Sequence, residues 1–132
     1  MSLVIRTLHR PKNSEHLNEE FVLLENTGPG PINAHGCAIT VARGPHDRPR
    51  PLGTLDPGFV LHPNEKIRLV TGTPSRKAEG TPPEEKGVKN YHLFLKEPVL
   101  AKPGTIVCLA LKQLELARAV FQPDAPHGIG EA

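Results

Sequence analysis

The chain of 132 residues contains no tryptophan, one tyrosine and four phenylalanines. A core poor in rings must be built from aliphatic side chains and lacks large anchors. No run of about 18 apolar residues occurs, which excludes a membrane-spanning helix. The N-terminus, Met1-Ser-Leu-Val-Ile-Arg6, has no charged segment followed by a long apolar one. A secretory signal is therefore not expected, and cytoplasmic residence is the expectation. No charge sign dominates, with 16 basic and 14 acidic residues and a net charge of +2. That balance excludes a strong global pull toward nucleic acid or anionic membrane. Cysteine is limited to Cys37 and Cys108 in strand-like apolar segments, and both are expected to be buried free thiols. A domain of this size does not require a disulfide. No Gly-X-Y period is present, so collagen is excluded.

Proline and glycine are abundant instead. The 15 prolines and 12 glycines make up 27 of 132 residues, against an average usage of about 12%. Each proline removes a donor and breaks a helix interior, which excludes a helical bundle. Leu, Ile, Val and Phe total 35 of 132 residues, above the ~20% of a disordered chain. Many short strands separated by tight turns satisfy both facts.

Strand patterns occur at Leu3–His9, Glu20–Asn26, Cys37–Ala42, Lys66–Thr71, Tyr91–Leu95 and Thr105–Leu111. In Glu20–Asn26 both faces are mostly apolar, which suits the middle of a sheet. Thr27-Gly-Pro-Gly-Pro31 ends it, and its prolines remove the N–H donors that a phosphate cradle needs. Arg43–Pro51 carries three prolines and is expected to hold no regular structure. Leu52–Leu61 divides into two short apolar pieces around an Asp56-Pro-Gly58 turn. Gly72–Asn90 is polar, with one valine, and is expected to be a mobile surface loop. Lys112–Phe121 reads as either helix or strand from local signals, with propensity slightly favouring helix. The tail, 123–132, is expected to be irregular.

Phe21-Val-Leu-Leu-Glu-Asn-Thr-Gly28 resembles the opening strand and turn of the lamin tail domain. The similarity continues in order through Ile32–Thr40, Phe59–Leu69, Leu93–Leu95 and Pro103–Leu109. It ends at Leu116–Phe121, in the place of the family's final strand. Three positions depart from the family pattern. Cys37 stands where the family keeps a Trp, Asn64 where a Gly is common, and Gly104-Thr105 where Gly-Asp is usual. About eight short strands spaced by Pro/Gly turns, with two long polar loops, fit a β-sandwich or barrel, and the resemblance implies an all-β, immunoglobulin-like β-sandwich. One domain is expected over 1–122, with Lys112–Phe121 as a strand. The resemblance also implies an accessory module without catalysis, acting in protein binding or self-association as a scaffold.

The candidate chemistry is sparse. Seven histidines (His9, His16, His35, His46, His62, His92, His127) show no metal-ligand spacing. Ser2, Ser14 and Ser75 sit in no nucleophile motif. His35 precedes Cys37 by two positions and reads as solvated rather than as a base. No enzyme, cofactor, metal or small-molecule substrate is expected. Arg43, His46, Arg48 and Arg50 form a basic loop with Asp47 as its one acid. Arginine suits bidentate contact with carboxylate or phosphate, so this loop is the candidate interaction site. The alternative function is binding of a polyanion or nucleic acid through the same loop, although it carries no aromatic for base stacking.

Overall fold

The structure, a computed structural model, describes residues 3–13, 15–55, 59–100, 102–112 and 114–130. Period-two alternation of aliphatic side chains builds its longer strands. β1 (Leu3–His9) is followed by a 3₁₀ turn at Leu17–Glu19 and by β2 (Phe21–Asn26). β3 (Ile32–Asn33), β4 (Cys37–Ala42), β5 (Arg50–Thr54), β6 (Val60–Leu61) and β7 (Lys66–Val70) come next. A second 3₁₀ turn (Lys77–Glu79) precedes β8 (Val88–His92), β9 (Ile106–Leu111) and β10 (Leu114–Phe121). A last 3₁₀ turn (Pro126–Gly128) leads into β11 (Ile129–Gly130).

Two sheets form a β-sandwich. One has the order β1-β2-β7-β8, the other β11-β10-β9-β4-β5, and β3 and β6 make a small third pair. Val22, Leu24, Ile67 and Leu69 of the first sheet share a core with Cys37, Ile39, Val41, Val107 and Leu109 of the second. Phe121 is the one buried aromatic of this core among the described residues, at 1% exposure. Each fully buried aliphatic side chain contributes roughly 1.5–3 kcal/mol, so a leucine-rich core compensates for missing rings.

The expected all-β sandwich is found, and β2 does lie inside its sheet, between β1 and β7. Of the ambiguous segment, Leu114–Phe121 is a strand, and Lys112 before it lies in a turn at φ 57°. Tertiary pairing with β9 overrides the helical propensity of the segment.

Several local expectations are corrected. Arg50 and Pro51 belong to β5 rather than to an irregular loop. β5 is an edge strand whose register with β4 shifts beside Pro51, and edges and bulges are where a sheet tolerates proline. The strand expected at Tyr91–Leu95 lies earlier, at Val88–His92, because it pairs in parallel with β7. The polar segment before it is tied down. Asn18 Nδ2 donates to the Thr73 carbonyl at 2.9 Å and to the Gly80 carbonyl at 3.1 Å. The tail expected to be irregular folds back so that Phe121 pairs with Ile129. The Asp56-Pro-Gly58 turn lies outside the described residues.

The two thiols are free. Cys37 is fully buried in the core, whereas Cys108 is half-buried on the outer face of the same sheet. Thr40 is the register partner of Cys108, and Leu111 that of Cys37. Opposite faces preclude a bridge without moving backbone.

Candidate functional site

Val41 pairs with Arg50 across β4 and β5, so the chain between them must turn back on itself. The Asp47 N–H donates to the Gly44 carbonyl at 3.1 Å and tightens that turn. With its prolines it gives the loop a defined path that carries Arg43, Arg48 and Arg50 outward. Facing it is the segment between β8 and β9. There Gly104 takes φ 87°, a conformation open to glycine at no steric cost. Thr105 Oγ1 donates to the Lys102 carbonyl at 2.8 Å.

These two segments enclose a cleft of about 410 Å³. Val41, Pro98 and Val99 supply apolar wall, and Arg43, Arg48, Arg50 and Lys102 supply positive charge. Asp47 and Glu97 are its acids. The cleft therefore gathers an excess of two positive charges, as large as the net charge of the chain. Among the described residues none of the four cations is ion-paired or hydrogen-bonded through its side chain. All four are exposed.

A buried carboxylate fixes one wall. Glu20 is 1% exposed. It accepts hydrogen bonds from the Val99 N–H at 2.7 Å and the Leu100 N–H at 3.0 Å. Thr71 Oγ1 donates to it at 2.6 Å. Burial pushes the Glu20 carboxyl above its ordinary value, and the hydrogen bonds from Thr71, Val99 and Leu100 oppose that shift.

The three arginines of the basic loop are thus brought to one cleft. His46 is exposed and does not line it. Lys102 and Glu97 could not be found from the loop's own sequence, because they arrive from a segment some fifty positions further along the chain. Among the described residues no His, Cys, Asp or Glu group could hold a metal ion. His9 stacks on Phe21 with ring centroids 5.0 Å apart, His92 Nδ1 lies 3.1 Å from the Gly72 carbonyl, and His35 and His62 are exposed. Ser75 is exposed, and Ser2 and Ser14 lie outside the described residues. Burial raises the Cys37 thiol above its ordinary value, which disfavours the nucleophilic thiolate. Among the described residues no helix is long and apolar enough to cross a membrane. No protein-family model matches the chain, and no curated protein matches it in sequence.

Proposed function

We propose that the chain is a non-catalytic binding module of the lamin-tail kind whose ligand face is the cationic cleft. One observation carries this reading: Arg43, Arg48, Arg50 and Lys102 surround a single cleft and outnumber its two acids, and none of them is ion-paired among the described residues. Unpaired guanidinium groups offer fork-shaped donor sets matched to carboxylates and phosphates. The order of motifs along the chain and the two-sheet sandwich support the lamin-tail comparison.

The favoured ligand is an acidic segment of a partner protein or of a second copy of the chain. Asp47 and Glu97 within the cleft disfavour a densely charged polymer, and no aromatic lines it to stack bases. Binding of a nucleic-acid backbone is the second reading, favoured by the exposure of all three arginines.

Fluorescence anisotropy with a labelled glutamate-rich peptide and a labelled oligothymidylate separates the two. The first reading expects the peptide to bind more tightly, with loss in the Arg43→Ala/Arg48→Ala/Arg50→Ala variant. Tighter oligothymidylate binding with a steep salt dependence selects the second. Binding of both probes that survives the triple substitution removes the cleft from either role.

A further inference from the structure

Arg68 stands in the middle of β7. Its register partners are Leu23 on β2 and Asn90 on β8, so the residue belongs to the interior of its sheet. Strand alternation places it on the outer face, opposite the core residues Ile67 and Leu69. An arginine there should reach solvent, yet Arg68 is 6% exposed. Its guanidinium lies 5.3 Å from the centroid of the Phe21 ring.

The group is incompletely satisfied. Nη2 donates to Glu85 Oε1 at 2.8 Å. Nε and Nη1 are buried and make no hydrogen bond among the described residues. The neighbouring Asn90 Oδ1 is buried and unmatched in the same way. Arginine stays charged in proteins and carries five donors in a planar fork. One carboxylate oxygen leaves most of that fork unused, and buried donors without acceptors are costly.

Glu85 belongs to the segment 71–87 that crosses this face. The Glu85 side chain is 57% exposed although its partner is buried. No residue of the 3₁₀ turn in the segment is buried. Polar ties hold the rest: Asn18 to the Thr73 and Gly80 carbonyls, Glu79 to the Thr73 N–H at 2.8 Å, and Asn90 Nδ2 to the Pro83 carbonyl at 2.8 Å. Beyond the buried Thr71 and Gly72, a strap held by such contacts can open without disturbing the core.

We infer that Arg68 is a second, covered anion site, occupied in cis by Glu85 and opened to an acidic, extended segment of a partner protein. The cis occupant indicates the ligand class. Pro82-Pro83-Glu84-Glu85 is itself a proline-rich acidic stretch, so the face already accommodates a peptide carboxylate. An incoming carboxylate engages the guanidinium through both oxygens, where Glu85 uses one. Phe21 stacks beneath it. This site is distinct from the cleft and does not depend on it.

The test uses the full chain with Arg43, Arg48, Arg50 and Lys102 already replaced by alanine, so the cations of the cleft cannot supply the signal. The probe is the same labelled glutamate-rich peptide. Glu85→Ala in this background removes the internal competitor, and binding is expected to tighten about tenfold, as for a site freed from a mostly closed state. Adding Arg68→Gln should abolish the gain. A second measurement needs no substitution at Arg68: the NMR resonance of its Nε–H should shift on titration with the peptide in the Glu85→Ala chain. Unchanged affinity after Glu85→Ala, or an unmoved Arg68 Nε–H signal at saturating peptide, overturns the inference.

Discussion

Glu20 and Val99 are 79 positions apart in sequence and are joined by a 2.7 Å hydrogen bond from the Val99 N–H to Glu20 Oε1. That bond links the start of β2 to the wall of the cleft. Its acceptor is a carboxylate held almost entirely out of water. The site and the core are therefore coupled through an ionisable group.

The coupling has a pH signature. The Glu20 carboxyl is raised from its ordinary value of 4.5 by burial. Folding thus favours the protonated form. Its contribution to stability is fully present below the ordinary value and is lost as pH rises through the raised one. Urea unfolding of the wild type and of Glu20→Gln across pH 4 to 8 isolates this group. The stability of the wild type relative to the variant should fall as pH increases. A difference that stays flat with pH would show that burial does not oppose ionisation of Glu20.

Asn26 is the hub of the first long turn. Its Nδ2 donates to the Gly30 and Leu61 carbonyls, both at 2.9 Å, and its Oδ1 accepts the Gly28 N–H at 2.9 Å. Asn26→Ala strands two carbonyls and one N–H at a fully buried position. A loss of about 3 kcal/mol is expected from chemical denaturation. Asn26→Asp should cost at least as much as Asn26→Ala, since it sets a buried carboxylate oxygen against the Gly30 and Leu61 carbonyls.

Gly128 packs its backbone on β1. A Cβ there would overlap the Leu8 carbonyl oxygen, and φ is 73°. Gly128→Ala should cost at least about 2 kcal/mol. Gly30, with nothing near its Cβ direction and no positive φ, is the matched control. Gly30→Ala should change the midpoint of thermal unfolding little, so equal effects at the two positions would refute the packing argument.

The cysteines differ in what they tolerate. Cys37→Ser places a hydroxyl in an apolar core and should cost about 1–3 kcal/mol. Cys108→Ser, on the outer face, should stay within about 0.5 kcal/mol. Mass spectrometry after mild oxidation should find no internal crosslink.

The arginines of the cleft are exposed and unpaired, so replacing each with alanine should alter stability by no more than about 0.5 kcal/mol. Calorimetry on the triple variant checks this. A large loss of stability would mean that the three residues hold the loop rather than await a ligand.

Strands whose apolar residues alternate against a shared core were legible in sequence, and β1 and β4 begin and end where the pattern placed them. Local signals for β10 read as either helix or strand, with propensity leaning slightly toward helix, and the resemblance to the lamin tail domain favoured a strand. The displacement of β8 was hidden because Val88 becomes a strand residue by pairing with Lys66, a contact no local pattern announces. The order of the polar segment was hidden for a similar reason: Asn18 caps it from 55 to 62 positions away. In the cleft, the arginines were visible as a cluster, whereas Lys102 and Glu97 meet them only in three dimensions.

The parallel pairing of β7 and β8 sets a length requirement on the chain between them. Parallel neighbours cannot be joined by a hairpin, so the chain leaving Val70 must return to the level where β7 began. For strands of five residues that return is about 16 Å, spanned by roughly five extended residues plus a bend at each end. Residues 71–87 exceed this minimum. A series of deletions through them would therefore pass through two regimes. The first trims the surplus that carries Glu85 across the sheet and leaves the topology intact, and the second leaves β8 unable to reach its place beside β7.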